Sequence, residues 1–192
     1  MPGDLVGLVA FGYAILSRLA YVLFVGITLR RQDRNSGSAQ ALDPTKAFQR
    51  FRRRAAFVMN HDGVAFIVLC LLTRNTLALP VSSTLSVIAG AALITVGLGT
   101  KLWAARTLGG NAYYWHNFFF PGDSEGPVTS GPYRYVSNPM YTIGYLQTYG
   151  LALMLRSLPG LIAAGFSQAA ILGFYLLVEK PHFERLHRDS PH

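Results

Sequence analysis

Four groups of polar residues stand out in this sequence because each lies inside or beside a long apolar run. GPYRYVSNPMY at residues 131–141 leads into one such run, and GLGTK at residues 97–101 closes another. EKPHFER at residues 179–185 directly follows the last apolar run, and NHD at residues 60–62 interrupts the second. Ionisable residues at membrane depth are costly and by default indicate function. These four groups are therefore the candidate sites of chemistry.

Each group also has a simpler structural interpretation. Asn138 and Pro139 are typical of a capped helix start. Gly97 and Gly99 allow another backbone or a flat ligand to approach closely, and helix packing is the stronger interpretation of a lone glycine pair. Glu179, at the end of an apolar helix, needs a partner if it is partly buried.

Arg18 is the only charged residue of the first apolar run and lies about 16 Å from its cytoplasmic end, whereas residues 60–62 lie about 8–11 Å inside the second run, at 1.5 Å per residue. An ion pair between Arg18 and Asp62 is expected if their helices are neighbours. A structural role for the Arg18–Asp62 pair is favoured over a catalytic one. His61 and Asp62 nevertheless stay catalytic candidates, because ionisable residues inside a membrane by default indicate function.

Composition identifies the environment of these groups. Of 192 residues, 51% are hydrophobic and 14% charged, against about a quarter charged in soluble domains. The formal charge is +8, and eight of the 17 basic residues lie between positions 30 and 54, beside apolar runs. This location favours a membrane surface over nucleic acid. Cys70 is the single cysteine, and the five histidines lack metal-ligand spacing, so no metal site is expected.

We predict an all-α integral membrane protein with five transmembrane helices, since a span needs roughly 20 apolar residues. The first span is interpreted as a retained helix rather than a signal peptide, because no positive charge precedes it. SLPG at residues 157–160 predicts a tight turn between the last two spans. The predicted spans are residues 5–29, 55–73, 84–105, 141–155 and 161–178.

The basic residues predict the orientation. With the N-terminus outside and the C-terminus inside, 14 Lys and Arg lie on the cytoplasmic side and two on the other. Residues 113–120 are too aromatic for a solvated loop and are predicted to lie at the membrane surface. The whole chain, 1–192, is predicted to be a single membrane domain. Residues 1–83 would supply two spans and a basic cytoplasmic loop, and residues 84–192 the core that holds the site.

The order of these motifs resembles the integral-membrane methyltransferases, which include phospholipid N-methyltransferases and isoprenylcysteine carboxyl methyltransferases. The resemblance covers residues 90–188. Asn138-Pro139-Met140-Tyr141 is similar to the phosphatidylethanolamine N-methyltransferase branch, whereas the isoprenylcysteine branch has Arg-His-Pro at this point. Gly144, the Pro-Gly turn and Glu179-Lys180-Pro181 extend the likeness, with Lys180 where that branch has a second glutamate.

The resemblance implies that S-adenosylmethionine binds on the cytoplasmic side, between the last three helices and a cytoplasmic tail. It assigns the cofactor to Gly97, Gly99, Asn138, Tyr141 and Glu179. Neighbours in the same motifs are added to this set: Lys101, Tyr133, Arg134, Pro139, Lys180 and His182.

The expected reaction is methyl transfer to a membrane lipid, most simply to the amine of an aminophospholipid. An ammonium must lose a proton before it attacks a methyl group, and a carboxylate or a neutral histidine can accept it. The candidates are Glu184, which we favour because Glu179 ties the tail to the site, and His116, His182, His61 and Asp62.

Several alternatives stay open. The same fold serves thiol and prenylated carboxylate acceptors, and sterol reductases resemble it in their last helices. A non-catalytic membrane scaffold is a further possibility, given Lys180. The expected location is a bacterial inner membrane or the endoplasmic reticulum. The sequence leaves the acceptor, the number of methyl groups transferred and the oligomeric state open.

Overall fold

The structure is a computed structural model that describes residues 2–35, 43–121 and 128–188. Within these ranges it contains helices and turns and no strand. The predicted basic loop and the predicted tail therefore lie partly outside the described residues. The helices are α1 (Pro2–Asn35), α2 (Pro44–Leu72), α3 (Ser83–Leu108), α4 (Leu146–Met154), α5 (Leu158–Phe174) and α6 (Lys180–Arg188).

Local sequence signals explain where the long helices begin and end. The Asp43 carboxylate accepts hydrogen bonds from two backbone N–H groups of the first turn of α2, where Pro44 follows it. Ser82 caps the start of α3, and Gly109, whose φ is 79°, caps its end. Ser157 caps α5 and accepts from the Gly160 N–H. A tight connection between α4 and α5 is present as predicted, but it lies at residues 155–157, because residues 158–160 already form the first turn of α5.

Four helical segments in the described residues are long and apolar enough to cross a membrane. They are Leu5–Arg34, Pro44–Leu72, Ser83–Leu108 and Leu158–Leu186. The last is continuous because a π-helical stretch, Tyr175–Glu179, joins α5 to α6. The protein is therefore an all-helical membrane protein by the length and composition of its helices.

The predicted fourth span, 141–155, differs from the expectation of a regular helix. Its regular part, α4, has nine residues and a length of about 13.5 Å at 1.5 Å per residue. A 3₁₀ turn, Ile143–Tyr145, precedes it, and Asn138 caps the turn before that by accepting from the Tyr141 N–H. Proline and glycine at 139 and 144 disfavour a continuous helix here.

Contacts between helices distinguish the two ends of the bundle. At one end, the Asn75 N–H donates to the Leu155 carbonyl, beside the α2–α3 connection. At the opposite end, Arg30 of α1 donates to the Leu177 carbonyl. We call this second end, which also carries residues 109–121 and α6, the site end.

The aromatic segment at residues 113–120 differs in part from the predicted position at the membrane surface. Trp115, Phe118 and Phe119 are buried among side chains of α1, α2 and α5 at the site end. Phe51 of α2 packs against Phe119 with ring centroids 5.2 Å apart. The rings turn inward because the first turns of α2 offer them aromatic partners.

Candidate functional site

The site end contains a cavity of about 140 Å³ between α1, α2, α3, α4 and α5. Charged residues from three of these helices line it together with a wall of aromatic side chains. The lining residues are Arg18, Tyr21, Met59, Asp62, Gly63, Phe66, Lys101, Tyr113, Trp115, Met140, Tyr141, Tyr145, Gln147, Thr148 and Ile171.

Glu179 lies directly behind two aromatic residues of the cavity wall, Trp115 and Tyr141. The Trp115 indole N–H donates to its Oε1 at 2.5 Å, and the Tyr141 hydroxyl donates to the same oxygen at 3.3 Å. Only 9% of Glu179 is exposed. Among the described residues, no lysine, arginine or histidine forms an ion pair with it. A carboxylate buried with neutral donors alone favours a cationic ligand.

The backbone at Trp115 explains how its indole reaches Glu179. Trp115 separates two 3₁₀ turns, Ala112–Tyr114 and His116–Phe118, and has φ 55° and ψ 42°. This left-handed conformation is uncommon for a bulky residue and is held by the packing around it. Phe174 of α5 contacts the indole edge-on with centroids 5.5 Å apart.

Tyr133 adds a polar group to this region. Its hydroxyl is buried and makes no hydrogen bond with any described residue. Burial, and second the nearby Glu179 charge, raise the pKa of Tyr133 above its ordinary value. Its hydroxyl is therefore a protonated donor at neutral pH. Arg134 is exposed, whereas Pro139 is fully buried beside the cap formed by Asn138.

The expected ion pair between Arg18 and Asp62 is confirmed. Arg18 Nη2 lies 2.6 Å from Asp62 Oδ2, and both side chains are at most 10% exposed. Arg18 Nη1 also donates to the Tyr145 hydroxyl at 3.2 Å, while its Nε is buried without a partner in the described residues. The pair fixes α1 against α2 and forms one wall of the cavity.

Lys101 brings a second cation to the same cavity. Its Nζ lies 6.0 Å from the centroid of the Tyr145 ring. Within the described ranges Lys101 forms no ion pair. Lys101 therefore lines the cavity as a cation without an anionic partner.

The glycine pair of α3 lies away from the cavity. A Cβ at Gly97 would lie 2.3 Å from the Gln147 backbone nitrogen, so Gly97 permits close packing of α3 on α4. Gly90 and Gly150 make a similar contact further along the same interface. Gly99 faces open space. These contacts favour helix packing as the role of Gly97.

Three of the histidine candidates lie outside the cavity. His61 is exposed and contacts Tyr13 and Ser17 of α1. The His116 ring stacks on Phe120 at 4.3 Å. His182 is buried, stacks on Phe118 at 3.7 Å and pairs through Nδ1 with the carboxylate of Asp33 at 2.7 Å.

The favoured base, Glu184, also lies outside the cavity. It is exposed on α6 and pairs with Lys180 at 3.8 Å. Arg185 on the same helix pairs with Asp33, so α6 is fastened to the end of α1. Of the five candidate proton acceptors, Asp62 is the one that lines the cavity.

The sequence did not indicate that three aromatic residues, Trp115, Tyr145 and Tyr21, line the cavity. Trp115 was noted as part of an aromatic segment but not as the partner of Glu179, and Tyr145 and Tyr21 were not singled out. Their spacing carries no motif, because they come from three separate parts of the chain. The one signal in the sequence was the high density of aromatic residues at 113–120, together with a glutamate, Glu179, at the end of the last apolar run.

The family comparison agrees with the motifs around this cavity. The model of a family described as phospholipid methyltransferase matches residues 85–190, more than half of the chain. The chain belongs to this family. The matched residues supply Lys101, Trp115, Tyr141 and Glu179, whereas Arg18 and Asp62 come from helices before the phospholipid methyltransferase match.

Curated relatives in fungi are named phosphatidylethanolamine N-methyltransferase. The protein of Talaromyces marneffei is 37% identical over 103 residues, which cover 54% of this chain and 10% of that protein. The Schizosaccharomyces pombe protein is 39% identical over 101 residues, covering 53% and 11%. The Saccharomyces cerevisiae protein is 32% identical over 140 residues, covering 73% and 16%. The chain thus spans between a tenth and a sixth of the length of these relatives. No solved structure matches it.

Proposed function

We propose that this protein transfers a methyl group from S-adenosylmethionine to the amine of an aminophospholipid at the cavity of the site end. Membership of the phospholipid methyltransferase family supports the reaction class. The observation that carries the proposal is the buried Glu179 carboxylate, which has neutral donors, lacks a cationic partner among the described residues and lies behind the cavity wall.

The residues around Glu179 fit this methyl donor, which carries a sulfonium and an ammonium. A buried carboxylate attracts such cations strongly because water does not screen it. The Tyr133 hydroxyl, which has no partner among the described residues and lies near Glu179 rather than in the lining of the cavity, offers a donor for a carboxylate or a ribose oxygen. When bound, the cofactor supplies an electrophilic methyl group on its sulfur. Glu179, Tyr133 and Tyr141 would hold it, and Trp115 would fix the orientation of Glu179.

The acceptor amine must lose a proton, and we assign this step to Asp62. Its Oδ2 is held by Arg18, which leaves Oδ1 for the proton of the substrate ammonium. Glu184 is less suited to accept this proton, because it is exposed to solvent and already pairs with Lys180. This assignment replaces Glu184 as the favoured base because Asp62 lines the cavity.

The lipid would enter sideways from the membrane. Gly63 lines the cavity and is also exposed on the surface of α2, and a Cβ added there would meet no atom. A headgroup can therefore reach the cavity at Gly63 while its acyl chains stay in the bilayer. The protein's remaining function is alignment and exclusion of water, since a methyl transfer is an in-line displacement.

We also propose five membrane crossings with the site end in the cytoplasm. The irregular segment 141–155 would be the fourth crossing, because Leu155 accepts from Asn75 beside the α2–α3 connection and the Tyr141 hydroxyl reaches Glu179 at the site end. Most basic residues lie in or beside the connections at the site end, which supports a cytoplasmic location. The membrane would be a bacterial inner membrane or the endoplasmic reticulum, and a water-soluble methyl donor would enter from the cytoplasm.

Calorimetry with S-adenosylhomocysteine tests the donor site in the purified full chain. We expect binding by the wild type and at least a tenfold loss of affinity in Glu179→Gln, since a hydrogen bond to a charged group contributes about 1.5–3 kcal/mol. Glu184→Gln is the comparison, because it neutralises an exposed carboxylate on the adjoining helix, and its affinity should stay within about twofold. Equal affinity in wild type and Glu179→Gln would contradict the proposal.

A transfer assay identifies the acceptor. Labelled methyl donor and phosphatidylethanolamine vesicles should give N-methylated lipid, which mass spectrometry distinguishes from a methyl thioether or a methyl ester by the methylated atom. Methylation of a thiol or a carboxylate, with no N-methylated lipid, would contradict the proposed substrate.

A further inference from the structure

The cavity contains more positive than negative charge. Arg18 and Lys101 both line it, and Asp62 is the carboxylate among its lining residues. Arg18 and Asp62 neutralise each other at 2.6 Å, which leaves the charge of Lys101. An ammonium in an apolar surrounding is costly unless an anion accompanies it. The cavity is thus complementary to a ligand that brings one negative charge.

The position of Lys101 separates this charge from that of Glu179. Lys101 lies beside the ring of Tyr145 and next to Gly144, where an added Cβ would be 3.5 Å from the Lys101 Cβ. Glu179 is reached instead through Trp115 and Tyr141. The cavity wall therefore has a cationic part at Lys101 and an aromatic part backed by a carboxylate.

We infer that Lys101 binds the phosphodiester of the acceptor lipid, assisted by Arg18, and so orients the headgroup with its amine between Asp62 and the aromatic wall of Trp115 and Tyr141. This inference rests on the proposed function and names what the same cavity recognises. The headgroup of an aminophospholipid has one phosphodiester charge two carbons from its amine, so it matches a wall with these two parts. Arg18 assists through Nε, which is buried and without a partner among the described residues.

The aromatic part of the wall suits the amine at each stage of methylation. Tyrosine and tryptophan faces attract ammonium groups, including fully methylated ones that have lost their hydrogen-bond donors. Lys101 would hold the phosphodiester unchanged throughout, because methylation leaves that group unaltered. The specificity determinant is thus the phosphate, and the amine is aligned by it.

Binding of soluble short-chain lipids tests this assignment without turnover. The probe is dihexanoyl phosphatidylmethanol, which has the phosphodiester and lacks the amine, titrated calorimetrically into the full chain in detergent. We expect Lys101→Gln to weaken its binding at least tenfold and Lys101→Arg to restore it to within about threefold of wild type. Arg106→Gln is the matched control, since Arg106 is an exposed cation on the same helix and lies outside the cavity. It should bind as wild type.

Kinetics give a second, independent reading. Lys101→Gln should raise the KM for phosphatidylethanolamine tenfold or more, and leave unchanged both the KM for a long-chain primary amine and the affinity for S-adenosylhomocysteine. Should Lys101→Gln fail to fold, the wild type must still show competition between phosphatidylmethanol and phosphatidylethanolamine; a lack of competition overturns the inference.

The remaining outcomes separate this inference from the proposed function. If Lys101→Gln weakens S-adenosylhomocysteine and leaves phosphatidylmethanol unchanged, the anion is the carboxylate of the methyl donor and the inference is wrong. If neither binding changes, Lys101 is structural and the inference is wrong. If the wild type binds phosphatidylmethanol through Lys101 but neither binds S-adenosylhomocysteine nor transfers methyl groups, the lipid site stands and the proposed function fails.

Discussion

Arg18 and Asp62 are two charged residues that α1 and α2 bring to the membrane-embedded part of the bundle. Their 2.6 Å contact and low exposure make each dependent on the other. Removing one member of a buried pair leaves an uncompensated charge, whereas replacing both by apolar residues of similar size is often neutral. The contact between α1 and α2 is therefore sensitive to the loss of either member of the pair.

Substitution of this pair gives a prediction at the residue scale. We expect Asp62→Ala to lower the free energy of unfolding by about 3–5 kcal/mol, because Arg18 then stays buried without its partner. The double variant Arg18→Met with Asp62→Leu should recover most of this loss while remaining inactive. Unfolding in detergent micelles measures both. The exposed pair Lys180 and Glu184 is the control, and Lys180→Gln should change stability by less than about 1 kcal/mol. A double variant as unstable as Asp62→Ala would contradict the prediction.

The helices α3 and α4 form the interface that sets the position of Lys101. Gly90 and Gly97 of α3 and Gly150 of α4 leave no room for a Cβ, since the nearest backbone atoms would lie 2.3–2.6 Å away. Small residues let helices approach closely in membranes, where packing replaces the hydrophobic effect as the driving force. Gly97, which the family resemblance assigns to the cofactor, thus allows the close packing of α3 on α4 that places Lys101 in the cavity.

Alanine substitutions in the glycine pair test this at the element scale. Gly97→Ala forces α3 away from the Gln147 backbone and should destabilise the protein by about 1–3 kcal/mol. Gly99→Ala meets open space and should be neutral or stabilising by up to about 1 kcal/mol, since alanine favours helix. Thermal unfolding and S-adenosylhomocysteine binding are measured together. If Gly99→Ala lost donor affinity without loss of stability, direct cofactor contact at that position would be supported instead.

The whole molecule has two ends of different character. Basic residues and the cavity lie at the site end, whereas the α2–α3 and α4–α5 connections meet at the other, where Asn75 and Leu77 donate to backbone carbonyls of residues 155 and 156. Such charge asymmetry orients a membrane protein with its basic end in the cytoplasm.

Cysteine labelling tests the orientation of the whole molecule. Cys70 is buried and can be replaced by alanine to give a background without reactive thiols. Ser137 and Ser83 are exposed at opposite ends of the bundle. We expect an impermeant maleimide to label Ser137→Cys only from the cytoplasmic face and Ser83→Cys only from the other. The reverse pattern would show that the proposed orientation is wrong.

The sequence by itself determined the membrane helices, the family and the motif residues Asn138, Tyr141 and Glu179. The helices follow from hydropathy, which acts along the chain, whereas the family and these residues follow from the resemblance of the motifs. It also predicted the pair of Arg18 and Asp62, because each is a charged residue inside an apolar run and their helices could be neighbours. At residues 141–155 it predicted a span whose regular helix has only nine residues, because Pro139 and Gly144 disfavour a longer one, and the fourth crossing stays a prediction.

Only the tertiary structure decided which polar groups share the cavity. Lys101, Asp62 and Trp115 are distant in sequence and meet because α3 packs on α4 through glycines while the aromatic segment folds inward onto α2. The same packing left Glu184, His61 and His116 outside the cavity. Side-chain contacts between helices depend on the rotation and separation of each helix, and neither is encoded in the local spacing of charged residues.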